Sequence, residues 1–177
     1  MKIITIGNSA GGYAATLFGY LLNAERIFSV SGQFVLQNIE NEKLLLKHSK
    51  ENLYSKYYDL RVLLSKYCGD VFYIYPAHSE SDILQSKFVH GCKNVFPIKI
   101  KSNVHGTGLL SKNYKHILFI SNDKIKRKIN CIKEYSPFQI ALLTIPLLNS
   151  ISIITEFVIK RIIKKLLFLL CNSYKNS

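Results

Sequence analysis

The sequence predicts an α/β protein, a partial parallel sheet of about four strands with flanking helices and a basic, helical C-terminal tail. Short runs of β-branched and aromatic residues alternate with helical segments through residues 1–110. Such alternation is typical of parallel strands joined by right-handed crossovers. The charge is uneven, because residues 112–177 carry 12 of the 24 Lys and Arg but only 3 of the 11 Asp and Glu. We therefore expect a core at 1–110 and a tail at 111–177.

Four apolar runs are the predicted strands. They lie at residues 2–6, 26–31, 71–75 and 95–100. Val, Ile, Tyr and Phe favour strands, and turn residues such as Gly32, Gly69 and Pro76 bound the runs. Pro97 in the last run has no backbone N–H to donate to a neighbouring strand. This strand is therefore expected at an edge of the sheet.

The segments between the strands have helical character. Apolar spacing predicts helices at 13–22 and 81–90, and the polar stretch 34–67 also has helical apolar faces. After the fourth strand a further helix is predicted at 109–122, followed by a basic connector at 123–133.

A Gly-x-Ser-x-Gly turn joins the first strand to the first helix, with Gly7 and Gly11 on either side of Ser9. This order is typical of a nucleophile elbow, in which side chains at the two glycines are expected to collide as the chain reverses. Ser9 then lies at a helix N-terminus, where the N–H of Ala10 is an oxyanion donor. We assign Gly12 to the same elbow. The alternatives are an ordinary glycine-rich turn or a phosphate loop, although the Gly-Lys-Ser/Thr ending of such loops is missing.

A nucleophilic serine needs a base and an acid that orients the base. His105 follows the fourth strand, and Glu80 and Asp82 follow the third. The chain order serine, acid, histidine is the order found in α/β-hydrolases, with each group at the end of a successive strand. We favour Asp82 over Glu80 as the acid. The alternatives are a structural loop histidine at 105 and a carboxylate at 82 that only stabilises the first turn of a helix.

The remaining histidines and the cysteines give no sign of a metal or another cofactor. The four cysteines form no CxxC pair and are expected to be free thiols in a reducing cytoplasm. The other histidines are expected to be structural or solvated. These residues are Cys68, Cys92, Cys131, Cys171, His48, His78, His90 and His116.

The C-terminal tail is apolar and basic. Residues 138–155 carry no charge, and residues 156–170 place Lys160, Arg161, Lys164 and Lys165 on one face of a predicted helix. Three interpretations stay open: a membrane span, a helix on an anionic membrane surface, and helices packed on the domain or a partner. The expected location is the cytoplasm, with the inner face of the membrane as an alternative. No nucleic-acid partner is expected, because the basic residues alternate with Ile and Leu instead of aromatic residues and glycine.

Three segments carry a family resemblance, namely Gly7–Ala15, Tyr75–Asp82 and Asn103–Gly106. Over residues 1 to 110 the chain resembles the C-terminal half of an α/β-hydrolase, and in particular the small bacterial hydrolase-like proteins of surface-polysaccharide biosynthesis loci. The resemblance implies a serine hydrolase or acyl-transfer enzyme acting on small esters or acylated glycans. It also implies Ser9 as nucleophile, Asp82 as orienting acid and His105 as base.

One departure from the family affects the expected activity. A complete α/β-hydrolase has several strands before the elbow and a loop that gives a second oxyanion donor. Here the elbow strand begins at Met1. The sequence therefore predicts a truncated chain, or one that needs a complementing N-terminal half. The alternative to an enzyme is a non-catalytic remnant that binds a partner or a membrane surface.

Overall fold

The computed structural model describes residues 2–36, 57–106, 120–129 and 133–136, and five isolated residues farther along the chain. Several predictions lie outside the described residues. They concern segment 107–119, the basic residues of 156–170, and His48, His116, Cys131 and Cys171.

The sheet has four parallel strands, which confirms the predicted fold class. The strands are β1 (Ile4–Asn8), β2 (Arg26–Val30), β3 (Asp70–Pro76) and β4 (Val95–Ile100). They lie side by side in the order β1-β2-β3-β4, with Ile6 opposite Phe28 and Phe28 opposite Phe72. Strand β4 is an outer strand of this sheet, as Pro97 predicts.

Four helices accompany the strands in the described part of the chain. They are α1 (Ala10–Leu21), α2 (Arg61–Leu64), α3 (Glu80–Phe88) and α4 (Asn122–Ile129). None of them is long and apolar enough to cross a membrane.

The connector predicted at 123–133 is wrong over most of its length, because it contains α4. Asp123 lies in the first turn of α4 and basic residues occupy its last turn, an arrangement that complements the helix dipole. Ile125 is buried and Ile129 packs against the core one turn later. The many charged residues of this segment outnumber the isoleucines of the narrow apolar face, so the helix was not predicted from the sequence.

Both faces of the two central strands are covered. The side chains of Ile27, Val71 and Tyr73 are buried on one face of the sheet, together with Ala15 of α1. Phe28 and Phe72 stack on the other face, with ring centroids 5.2 Å apart. Burial on both faces explains why β2 and β3 are continuous apolar runs without alternation.

Residues from the predicted tail contribute to this core. Ile125 of α4 packs with Tyr135 against one face of the sheet. The Tyr135 N–H donates to Lys99 O at 2.7 Å, and its carbonyl accepts the Lys101 N–H at 2.8 Å. Lys126 forms an ion pair with Asp70 at 2.8 Å. The chain beyond residue 111 thus helps to hold β3 and β4 in place.

The carboxyl ends of the strands lie at one edge of the sheet, where backbone hydrogen bonds link the loops that follow them. The Ser9 N–H donates to Val30 O at 2.8 Å and so ties the end of β1 to the end of β2. The His78 N–H donates to Ser102 O at 3.0 Å, which ties the loop after β3 to the loop after β4. These bonds join the strand ends in two neighbouring pairs, β1 with β2 and β3 with β4.

The packing around Gly7 generates a stability prediction. A Cβ atom at Gly7 would lie 2.0 Å from Gly11 O, whereas a Cβ at Gly11 would meet no atom within 4 Å. We expect Gly7→Ala to lower the free energy of unfolding by about 3 kcal/mol or more, because backbone must move to admit the methyl group. Gly11→Ala is the matched control and should stabilise α1 by up to about 1 kcal/mol. Equal effects in denaturant titrations would contradict this packing.

Candidate active site

Ser9 lies in a strained turn between β1 and α1. Its backbone has φ 54° and ψ −119°, and a positive φ is uncommon for residues other than glycine. The expected collision is correct for Gly7, which faces the backbone of Gly11, and wrong for Gly11, which has open space around it. Gly12 instead needs its small size, since a Cβ there would lie 2.7 Å from Gly32 Cα. The turn therefore holds Ser9 at a positive φ between a strand and a helix, with close backbone contacts at Gly7 and Gly12.

Ser9, His105 and Asp82 form a continuous chain of hydrogen bonds. Ser9 Oγ lies 2.9 Å from His105 Nε2, and His105 Nδ1 lies 2.9 Å from Asp82 Oδ2. The three residues come from the ends of β1, β4 and β3, as the sequence pattern predicts. The Asp82 side chain is 2% exposed and that of His105 is 44% exposed, while Ser9 is half-buried. The chain thus joins a buried acid to an exposed imidazole and a partly accessible hydroxyl.

The structure distinguishes the two candidate acids. Asp82 lies in the first turn of α3 with its side chain in contact with the imidazole, whereas Glu80 is exposed. The Ser79 hydroxyl donates to the same oxygen, Asp82 Oδ2, at 2.6 Å. A carboxylate that accepts two hydrogen bonds at one oxygen is held in a defined orientation.

The hydrogen bond from Ser79 to the acid was not predicted from the sequence. It occupies the N-cap position of α3, but its side chain makes no capping bond to the backbone. The spacing Ser79-x-x-Asp82 is that of a capping box, and this signal marks a serine that can reach the side chain three residues later. Here the two side chains bond to each other.

Tyr73 of β3 forms a hydrogen bond with the backbone of Asp82. Its hydroxyl donates to the backbone carbonyl of Asp82 at 3.4 Å. Burial raises the pKa of Tyr73, and the negative charge of Asp82 raises it further. The phenol therefore stays protonated and remains a donor throughout the ordinary pH range.

The backbone N–H of Ala10, next to Ser9, can stabilise an oxyanion. The N–H groups of Gly12 and Tyr13 are already engaged, because they donate to Ser9 O at 2.8 and 3.2 Å. Ala10 is the first residue of α1, and helix geometry gives its N–H no acceptor within the helix. The position predicted for the oxyanion donor is thus at the N-terminus of a helix, where the dipole favours negative charge.

The other predicted polar residues lie apart from this hydrogen-bond chain. His78 is exposed and lies 3.5 Å from Glu134, and His90 is exposed after α3. Cys68 and Cys92 are free thiols, and burial raises the pKa of Cys92 although nearby Arg61 opposes this. Across the described residues, no three His, Cys, Asp or Glu side chains converge as metal ligands.

Comparison of the chain with protein-family models, curated proteins and solved structures finds no match. What the site can do therefore follows from its own geometry. The arrangement offers a hydroxyl, an imidazole that can take the proton of this hydroxyl, and a buried carboxylate that orients the imidazole. These are the parts needed for nucleophilic attack on a carbonyl group.

Ser79 can be tested through stability. We expect Ser79→Ala to lower the free energy of unfolding by about 1–3 kcal/mol, because it removes a hydrogen bond from the buried Asp82 carboxylate. Ser86→Ala is the control, since the Ser86 hydroxyl bonds only to Ile83 O within α3, and should change stability by at most about 0.5 kcal/mol. If the two variants unfold alike in urea, the Ser79 bond contributes nothing specific.

Proposed function

We propose that this protein is a serine hydrolase, or an acyl-transfer enzyme that works through the same acyl-serine intermediate. The observation that carries the proposal is the hydrogen-bonded chain Ser9–His105–Asp82 at the carboxyl ends of three parallel strands. Ser9 also has the positive φ of an elbow nucleophile. The combination of strained turn, base and buried acid is more specific than any of the three residues alone.

In the first half of the reaction, Ser9 Oγ attacks the carbonyl carbon of an ester while His105 Nε2 takes the hydroxyl proton. An Oγ–C bond forms and the carbonyl oxygen becomes an oxyanion, which the Ala10 N–H stabilises. The ester C–O bond then breaks, and His105 gives its proton to the departing alkoxide. The products of this half are an alcohol and an acyl-serine.

In the second half, water or an acceptor hydroxyl attacks the acyl carbon. His105 Nε2 takes the proton of the attacking oxygen and then returns a proton to Ser9 Oγ as the acyl bond breaks. Water gives a free acid, and an acceptor hydroxyl gives a new ester. Asp82 keeps Nδ1–H toward itself throughout, so that Nε2 faces the serine and the imidazolium is stabilised.

The accessibility of the site and the resemblance to hydrolase-like proteins both bear on the substrate. His105 is 44% exposed, Ser9 is half-buried, and Asn8 and Ala10 on either side of it are exposed, so that a bulky alcohol can approach the nucleophile. We therefore favour ester-bearing small molecules or acylated glycans, of which the glycans rest on the resemblance alone. No cofactor is needed for either half-reaction.

Labelling with a fluorophosphonate tests the proposed nucleophile and base. The folded wild-type protein should be phosphonylated on Ser9, because His105 activates this hydroxyl. Ser9→Ala should abolish labelling, and His105→Ala should slow it on the order of 10³–10⁴-fold. His78→Ala is the matched control, an exposed histidine outside the chain of bonds, and should label at the wild-type rate.

Two outcomes would reject the proposal. One is a folded wild-type protein that does not react. The other is labelling that persists in Ser9→Ala.

The choice of acid has its own test. Asp82→Asn should slow phosphonylation on the order of 10⁴-fold, because an amide that donates to Nδ1 selects the wrong imidazole tautomer. Glu80→Gln removes the neighbouring exposed carboxylate and should leave the rate unchanged. Labelling rates, with circular dichroism as a check of folding, decide between them. A rate that falls with Glu80→Gln but not with Asp82→Asn would assign the acid to Glu80.

A further inference from the structure

Two side chains outside the hydrogen-bonded chain hold Gly106, the residue that follows His105, by its N–H and by its carbonyl. The Gly106 N–H donates to Ser31 Oγ at 3.1 Å, and the Gly106 carbonyl accepts from Asn8 Nδ2 at 3.4 Å. Gly106 has φ 79°, a left-handed conformation that glycine adopts without penalty. Both polar groups of the residue next to the base are therefore engaged by side chains from the ends of β1 and β2.

Ser31, the residue that follows β2, is unusual in its backbone conformation and its burial. It has φ 46° and is 1% exposed, so a serine is buried in a conformation that residues other than glycine rarely adopt. Its N–H donates to Ile74 O at 2.8 Å, which fixes its backbone against β3. Glycine would suit this backbone better, but the hydroxyl that bonds Gly106 would be missing. Backbone outliers of this kind cluster at functional sites.

Asn8 ties the same loop to the nucleophile. It is the last residue of β1 and directly precedes Ser9, so its amide is placed by the strand that places the nucleophile. A Cβ atom at Gly106 would lie 3.6 Å from both the Nδ2 and the Oδ1 atoms of Asn8, which shows that the amide group packs directly against this glycine. The bond from Asn8 is longer than that from Ser31, and the Asn8 side chain is exposed. Ser31 is therefore expected to contribute more.

The imidazole needs such support because it extends from a loop. The first half of this loop is fixed by the bond from the His78 N–H to Ser102 O and by the Val104 N–H, which donates to Ser102 Oγ at 3.1 Å. For residues 105–106, the described contacts are those of the imidazole itself and of the Gly106 peptide. Without the contacts of Gly106, the imidazole would be held only by its own bonds to Ser9 and Asp82, which are the bonds that the reaction uses.

We propose that Ser31 and Asn8 are positioning residues that set the distance between His105 Nε2 and Ser9 Oγ by holding the N–H and the carbonyl of Gly106. The inference rests on the proposed function. It adds two residues that touch neither the substrate nor the reacting atoms and that act through the loop of the base. Displacement of a catalytic group by about 1 Å can cost roughly 100-fold in rate, so the expected effect is large compared with the change in structure.

The main variant is Ser31→Gly, which removes the hydroxyl and suits the backbone at φ 46°. We expect it to fold and to slow fluorophosphonate labelling by roughly 10- to 100-fold. Asn23→Gly is the matched control, because Asn23 has φ 48° and is exposed at the opposite end of α1. It receives the same backbone relief and should label at the wild-type rate. Asn8→Asp, which replaces the donor by a carboxylate, should slow labelling less than Ser31→Gly does.

A second readout separates a positioning role from a structural one. The His105 Nδ1 proton bonded to Asp82 should give a low-field proton NMR signal that disappears in Asp82→Asn. In Ser31→Gly this signal should shift or broaden at unchanged thermal stability, whereas in Asn23→Gly it should stay as in the wild type. The double variant Ser31→Gly, Asn8→Asp should lose less than the product of the single losses, since both side chains hold the same residue, Gly106.

The outcomes distinguish the positioning proposal from the proposed function. Wild-type labelling with an unchanged rate and an unchanged NMR signal in Ser31→Gly would overturn the positioning role and leave the function intact. An unreactive wild type whose low-field signal is perturbed in Ser31→Gly would reject the function and support the positioning of the imidazole. A parallel loss of rate in Asn23→Gly would overturn the positioning role.

Discussion

Parallel strands that end at one edge of a sheet are the constraint on which the site depends. Ser9, Asp82 and His105 are far apart in sequence, and they meet because β1, β3 and β4 run in the same direction. The central strand pair is held by apolar packing on both faces, including the stacked rings of Phe28 and Phe72. The packed core thus fixes where the strands end, and each polar group of the site lies within a few residues of a strand end.

The three side chains of the candidate site differ in burial: Asp82 is enclosed, Ser9 is half-buried and His105 is exposed. A carboxylate that is 2% exposed is costly to bury unless hydrogen bonds compensate it, and Asp82 receives them from His105 and Ser79. Because Asp82 is enclosed, its orientation is fixed, and its hydrogen bond to Nδ1 orients the imidazole of His105. Solvent reaches the chain of bonds at the imidazole, which is 44% exposed, and not at the carboxylate.

The sequence predicted the parts of this arrangement that depend on local pattern. Strand runs, the elbow turn and the order of Ser9, Asp82 and His105 all follow from residue type and spacing. It failed where long-range packing decides: Gly11 proved to have open space, and α4 was hidden by its charges. Ser31 carries no sequence signal of its own, because its hydroxyl accepts a hydrogen bond from Gly106, which is close to it only in the folded chain. Side chains that serve another loop become visible only in three dimensions.

The most direct test of the account is a crystal structure of the protein after reaction with a fluorophosphonate. We expect phosphorus bonded to Ser9 Oγ and a phosphonyl oxygen within about 3 Å of the Ala10 nitrogen. We also expect His105 between the adduct and Asp82, with Gly106 still bonded to Ser31. Phosphorus on a different residue, or a His105 ring turned away from Ser9 and Asp82, would contradict the central claim that this edge of the sheet is a serine-hydrolase site.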